Sequence, residues 1–306
     1  MKEISFGKSG LRVPAVVVGC MRLSGLEGKE QEKFVGGALD LGLNFFDHAD
    51  IYGRGECERA FGRAIRSLGV ARDRLFIQSK CGIVPGVMFD FSAKHILEAV
   101  DGILSRLGTD YLDSLLLHRP DALVEPEEVA RAFDALEKAG KVRRFGVSNM
   151  NPAQIALLKT CVRQDIEADQ LQFSPVHASM ISAGTEVNMQ TEGAVSRDGY
   201  VLDYCRLNKI TVQAWSPFQY GFFEGVYLNN DKFEKLNAAI GELSEKYGIE
   251  GEGVVTAWIL RHPADMQMIT GTMNLKRLAA IRAGADVQIS REEWYKIYMA
   301  AGHILP

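Results

Sequence analysis

The chain has 306 residues, 47% hydrophobic and 24% charged, ordinary globular proportions with enough length for one large barrel or two average domains. Its 35 Lys and Arg against 39 Asp and Glu give a formal net charge of -4, which speaks against a general nucleic-acid binder but leaves room for a local basic pocket that takes a phosphate. Cys20, Cys57, Cys81, Cys161 and Cys205 form no C-x-x-C pair, the N-terminus lacks the apolar core of a signal peptide, and no run reaches the roughly 18 apolar residues of a membrane span, so free thiols in a cytoplasmic protein are the expectation.

Residues 3–13 alternate around a Gly/Ser turn and predict an N-terminal β-hairpin. A repeating pattern follows. Ala15–Gly19 is a continuous apolar run, as expected of a strand buried on both faces. Glu30–Leu41 has helical periodicity and ends at Gly42. The pattern repeats as strand Leu43–Ala49 with helix Glu56–Leu68, strand Leu75–Cys81 with helix Ser92–Leu107, and strand Leu112–His118 with helix Glu127–Ala139. Strand Val142–Asn149 precedes helix Pro152–Cys161, and strand Ala168–Phe173 precedes helix Val195–Leu207 across a long polar loop. Strand Ile210–Trp215 is followed by two helical stretches, Lys232–Tyr247 and Gly253–Leu260. Strand Met266–Gly271, helix Leu275–Arg282 and a last helix over 290–300 complete the chain.

Strict alternation implies parallel strands with right-handed crossovers. Eight strand–helix units without an intervening linker, in about 250 residues, predict a (β/α)8 TIM barrel, one domain over residues 1–306, with the N-terminal hairpin and extra helices near the C-terminus. A doubly wound sheet is the competing fold. It is disfavoured because Gly19-Cys20-Met21-Arg22 stands where a G-x-G-x-x-G fingerprint would follow the first strand. The loops 174–193 and 217–231 lie after strands and hence on the catalytic face. Phe173, Phe218, Tyr220, Phe222, Phe223 and Tyr227 are predicted to wall an apolar pocket there.

In such a barrel the carboxyl ends of the strands carry the chemistry. The second strand ends in Asn44-Phe45-Phe46-Asp47-His48-Ala49-Asp50-Ile51-Tyr52-Gly53. The third ends at Lys80, the fourth at His118, the fifth at Ser148-Asn149 and the seventh at Trp215-Ser216, while the sixth carries Gln170. Singly, each has a plain structural explanation: a packed Tyr, a surface Lys, a core His. Together Asp47, Tyr52, Lys80 and His118 make a coherent set. A phenol ionises near pH 10, and a neighbouring ammonium is expected to lower that value. An Asp would orient the Lys, and a neutral His would hold a carbonyl oxygen. Such a site protonates an oxygen whose carbon receives hydride, and the hydride must come from a cofactor. A Lys80 solvated in an open pocket would contribute little to stability.

With these segments, and with Gly146-Val147-Ser148-Asn149, Trp215-Ser216-Pro217 and Gly271-Thr272-Met273-Asn274-Leu275-Lys276-Arg277 in the same order, the sequence resembles the aldo-keto reductase family, and within it a bacterial oxidoreductase subgroup. The resemblance implies a catalytic tetrad of Asp47, Tyr52, Lys80 and His118, with Tyr52 as proton donor. It implies that Ser148, Asn149 and Gln170 hold the nicotinamide carboxamide and that Trp215 stacks on the nicotinamide ring. Ser216 would begin the loop over the pyrophosphate, and Thr272 and Arg277 would hold the 2′-phosphate of NADPH. A small-molecule carbonyl substrate and a monomer or small homo-oligomer are expected, with no metal. Two positions depart from the family pattern: His48 stands where many members carry Thr, and Gly271 where many NADP-preferring members carry Lys.

A metal-dependent barrel hydrolase would use an H-x-H pair, and His48, His95, His118, His177, His262 and His303 contain none. A short-chain dehydrogenase would need Y-x-x-x-K, which is absent. A nucleotide-sensing regulatory subunit on the same fold, as among channel-associated relatives, remains the alternative to an enzyme. Cys81 reads as a packing residue, and His177 and Asp50 as residues of the pocket rim.

Overall fold

The computed structural model describes residues 2–305, so Met1 and Pro306 lie outside the described residues. Eight parallel strands, Val16–Gly19, Phe45–Asp47, Phe76–Cys81, Ser114–Leu117, Phe145–Ser148, Ile166–Gln172, Thr211–Trp215 and Gln267–Thr270, pair in chain order, and the last closes onto the first. This is the (β/α)8 barrel. Each connection carries at least one helix, and the helices Glu56–Leu68 and Ala93–Leu107 both stop at a left-handed glycine, Gly69 and Gly108. No helix of the described residues is long and apolar enough to cross a membrane.

The period-two geometry of strands sorts side chains between the barrel interior and the helix layer. Phe46 and His48 point outward onto Phe61 of the second helix, with ring centroids 4.7 and 4.6 Å apart. Phe45 and Phe76, one residue earlier in their own pleat, point inward and stack at 4.0 Å. The hairpin Glu3–Phe6 and Leu11–Pro14 brings Phe6 edge-on to both, at 6.0 and 5.3 Å. These three buried rings plug the amino-terminal mouth of the barrel.

The C-terminal helix Arg291–Ala300 is fastened to the barrel helices by Trp294. Its ring lies parallel to Trp258 at 4.9 Å, and each indole N–H donates to the other residue's carbonyl. Lys246 and Tyr247 both bind Glu293, at 2.5 and 2.7 Å. The extra helices near the C-terminus are therefore part of the packed body.

Three local features differ from the sequence expectation. The helix expected over 195–207 begins only at Val201, because Gly199 and Tyr200 take φ of 69° and 62° and the amide of Tyr200 is held by Asp198 and Ser196. That turn chemistry competes with helix. The 174–193 loop contains a short helix, Ser179–Thr185, that buries Met180 and Ile181. A ribbon, Ile83–Val84 with Met88–Phe89, follows the third barrel strand and was not expected.

One buried carboxyl has no obvious counterpart. Asp169 of the sixth strand faces the helix layer, fully buried, and neither carboxyl oxygen meets a donor in hydrogen-bond geometry. Burial pushes its pKa up to about 8, only partly opposed by the nearby amides of Met150 and Asn149. The folded state thus holds a proton that the unfolded chain, near its ordinary value of 3.8, has released. Stability falls as pH rises through that interval and levels off above it. Asp169→Asn, which keeps the shape without the charge, is expected to match wild type near pH 4. It should exceed wild type by at least about 1 kcal/mol near pH 8.5, read as the midpoint of thermal unfolding at both pH values.

Candidate active site

Asp47 and Lys80 end adjacent strands and both point inward. Lys80 is fully buried, and its ammonium spends all three protons: on Asp47 Oδ2 at 2.7 Å, the His48 carbonyl at 2.7 Å and the Tyr52 hydroxyl at 3.2 Å. Between the second strand and Tyr52 the chain is held by the Asp50 amide on the Lys80 carbonyl and the Tyr52 amide on the Ala49 carbonyl, both at 3.0 Å, and directly after Tyr52 it reverses through Gly53, Arg54 and Gly55, all with positive φ. Since Lys80 donates to the Tyr52 oxygen, the phenol proton remains available to the cavity. Burial pulls the Lys80 pKa down, but the Asp47 carboxylate and Tyr52 oxygen outweigh it and leave the net shift upward. The ammonium therefore stays charged. Tyr52 behaves differently from the sequence expectation. Burial is the larger effect and raises its pKa above 10, while the Lys80 charge opposes it.

His118, at the end of the fourth strand, sits edge-on to Tyr52 with centroids 5.9 Å apart. Burial, then the charges of Lys80 and Arg119, drive its pKa well below the usual histidine value. It is a neutral ring at physiological pH. The four residues expected to act together are therefore in one place. His48 is explained by its face: it is buried among apolar groups, its pKa falls to about 3 through desolvation, and it serves as a packing ring. Cys81 is buried, and desolvation raises its thiol well above 9, consistent with packing. Asp50 and His177 are only partly buried, and neither lines the cavity.

Sequence reasoning missed the layer beneath Asp47. Gln78 and Gln170 both donate to Asp47 Oδ1, at 2.7 and 3.1 Å, and to Gln213 Oε1, at 2.9 and 3.2 Å. Gln213 donates in turn to Gln267 at 2.8 Å, and Gln267 to the Pro14 carbonyl at 2.8 Å. Four glutamines from four strands thus cross the barrel between the phenylalanine plug and the catalytic floor. The signal was weak: Gln213 and Gln267 interrupt largely apolar strands, but Gln78 and Gln170 lie among other polar residues, Ser79 and Lys80 in one strand and Glu167, Asp169 and Gln172 in the other. Gln170, expected to bind the cofactor carboxamide, has its amide nitrogen committed to this layer.

Above the floor lies a cavity of about 910 Å³ lined by Tyr52, His118, Ser148, Asn149, Gln170, Trp215, Ser216, Thr272 and Arg277. Ser148 donates to the Gln170 carbonyl, Asn149 donates to Ser148, and the Trp215 indole donates to Asn149 at 3.1 Å. Asn149 and Ser216 both hold positive φ, 58° and 51°, the kind of backbone strain that gathers at functional sites. Of the six aromatics expected in the wall, Phe218, Phe222 and Phe223 line the cavity. Phe173 instead stacks on Trp258 in the core, Tyr227 is buried with its hydroxyl on the Pro217 carbonyl, and Tyr220 packs against Phe233. Tyr220 and Tyr227 shape the 217–231 loop, which folds as a ribbon of Gln219–Tyr220 and Gly225–Val226. Phe223 lies nearly parallel to Trp215 at 6.1 Å and covers one face of it.

Arg277 lines the far end of the cavity, paired with Glu252 at 3.1 Å, and Thr272 accepts the amide of Asn274. Gly271 is accounted for by Arg22, whose guanidinium donates to the Gly271 carbonyl and fills the space a side chain there would enter. Among the described residues, the cations facing this cavity are Arg22, Arg119 and Arg277.

The burial of Lys80 corrects the expectation that removing it is structurally mild. Lys80→Met strands the Asp47 carboxylate in the barrel, and loss of one partner of a buried pair costs about 3–5 kcal/mol. Denaturant unfolding of Lys80→Met, Asp47→Asn and the double variant checks this. The double variant should recover a large part of the loss, whereas additive losses would show that the two groups do not interact.

The profile of the aldo/keto reductase family matches residues 15–300. The chain is 33% identical over 317 aligned positions to oxidoreductase YdhF of Escherichia coli, covering 100% of both chains. It is 31% identical to the 6-dehydroglucose reductase of Novosphingobium aromaticivorans, covering 98% of this chain and 96% of that one. Among solved structures, a thermostable aldo-keto reductase in complex with the inhibitor epalrestat superposes with a TM-score of 0.80 at 24% identity, covering 98% and 100% of the two chains. That likeness is one of fold. A profile spanning nearly the whole chain, and a relative above 30% identity along its full length, establish that this chain belongs to the aldo/keto reductase family of oxidoreductases.

Proposed function

We propose that residues 1–306 form a single barrel domain that reduces aldehydes or ketones to alcohols at the expense of NADPH, with Tyr52 as the general acid. The observation that carries the reading is the direction of the hydrogen bonds: Lys80 donates to Asp47, to the His48 carbonyl and to Tyr52. The phenol is therefore held by its oxygen and free to give its own proton to a carbonyl oxygen in the cavity. Its raised pKa keeps it protonated at neutral pH. The Lys80 charge stabilises the phenolate left behind. His118, kept neutral by burial, orients the carbonyl oxygen without competing as an acid. The names of the relatives, an oxidoreductase and a reductase, support reduction as the reaction. The complete set of four side chains favours turnover over a purely regulatory role.

The residues above the floor fit a dinucleotide. The hydroxyl of Ser148, the amide of Asn149 and the amide oxygen of Gln170, whose nitrogen is already engaged, match a carboxamide, Trp215 offers a ring for stacking, Ser216 opens a strained turn suited to a diphosphate, and Arg22, Thr272 and Arg277 would answer phosphate charge. When bound, the nicotinamide supplies the hydride. The Arg277–Glu252 pair bears on cofactor choice. A 2′-phosphate would have to displace Glu252 from Arg277, so the carboxylate weakens a preference that the guanidinium creates.

Tyr52→Phe is expected to lower turnover by roughly 10²–10⁴-fold with cofactor affinity nearly unchanged. Wild-type turnover in steady-state assays of carbonyl reduction would refute the assignment.

Charge-assisted hydrogen bonds contribute about 1.5–3 kcal/mol, or roughly one to two decades in affinity. Arg277→Ala should lose that much for NADPH and almost nothing for NADH, and Glu252→Gln should tighten NADPH alone. Fluorescence titration with each cofactor reads both. Equal losses for the two cofactors would remove Arg277 from 2′-phosphate recognition.

A further inference from the structure

Arg119 directly follows His118 and lines the cavity, half-buried, with no carboxylate to answer it among the described residues. The acids of the cavity are already committed. Asp47 takes Lys80, Gln78 and Gln170, and Glu252 takes Arg277. Asp121, two residues further on, spends its oxygens on the amides of Phe91 and Leu123. The recorded partner of Arg119 is the face of Trp215, with the guanidinium carbon 5.9 Å from the ring centroid, at the outer limit of a cation–π contact. Arg22 and Arg277, by contrast, are both hydrogen-bonded.

A guanidinium withdrawn from water without a counter-ion is an unmet electrostatic demand, and burial already draws its pKa downward. Facing a cavity, that demand is met by an anion the ligand brings, and the planar fork of Arg suits a carboxylate, which it can hold through two parallel bonds. Its place beside His118 puts this anchor next to the point where Tyr52 delivers its proton. Phe218, Phe222 and Phe223 offer apolar walls for the rest of the molecule.

We propose that Arg119 binds a carboxylate on the substrate, and that the carbonyl compounds selected by this site are oxo-acids with an apolar body. This rests on the reductase reading above and narrows its substrate class.

The test is a matched panel: 3- and 4-carboxybenzaldehyde against the corresponding carboxamides, with NADPH, for wild type, Arg119→Met and Arg119→Lys. Wild type should favour at least one carboxylate over its carboxamide by about 10–100-fold in kcat/KM, the worth of a charge-assisted pair. Arg119→Met should bring that ratio close to one, chiefly through KM, and Arg119→Lys should retain part of it, which also guards against a variant that merely misfolds. Fluorescence titration of NADPH should give the same affinity for Arg119→Met as for wild type. A wild-type ratio near one, or a ratio unchanged in Arg119→Met, overturns the proposal while leaving carbonyl reduction standing. A loss of NADPH affinity as large as the loss of carboxylate preference overturns it in favour of a cofactor contact. Wild-type protein that reduces none of the four aldehydes overturns the reductase reading and this inference with it.

Discussion

A lysine with no exposed surface is the constraint around which this barrel is arranged. Moving an ammonium and a carboxylate out of water is expensive, and their attraction repays it only when every proton and lone pair is satisfied. Lys80 and Asp47 meet that condition with three acceptors on one side and three donors on the other. The geometry is consequently narrow. Tyr52 is not simply near a cation; its oxygen is the third acceptor of an ammonium that has no other direction to turn. The same burial that holds the pair rigid raises the phenol pKa and lowers that of His118. One environment thus prepares a protonated donor and a neutral orienting ring.

The interior beneath the pair is layered by the strand period. Phe6, Phe45 and Phe76 close the lower mouth with apolar surface, four glutamines cross the middle, and the ion pair forms the floor of the cavity. The glutamine layer is a graded transition. It supplies neutral donors to Asp47 Oδ1 and passes the remaining hydrogen-bonding capacity across the barrel to the Pro14 carbonyl. A half-satisfied layer of this kind would be worse than an apolar one. Here the donors run continuously from strand to strand.

Around the rim, function is placed on backbone that is costly to hold. Asn149 and Ser216 sit in left-handed conformations at the ends of the fifth and seventh strands, each costing on the order of 1–3 kcal/mol. The Trp215–Asn149 hydrogen bond ties the two ends together. The charges of the rim divide in the same way. Arg277 is matched by a glutamate and Arg22 by a carbonyl, while Arg119 is left facing the cavity with an aromatic ring.

The sequence alone determined the order of strands and helices, because hydrophobic period and glycine stops are local properties. It also determined which residues stand at the strand ends: Asp47 and His118 each close an apolar run, and Lys80, Asn149 and Trp215 stand where a strand pattern gives way to loop. The direction of the Tyr52 shift was not legible, since it depends on whether burial or the Lys80 charge wins, and that balance exists only once the barrel surrounds both. Nor was the glutamine layer, whose members lie up to 135 positions apart in a single hydrogen bond, nor the loss of Phe173 and Tyr227 from the pocket wall to the core. Pairings of that kind, Arg277 with Glu252 among them, join residues on different units of the repeat. Local pattern fixes each unit's own faces, but only closure of the barrel decides which unit meets which, and therefore which charges are answered and which remain open to a ligand.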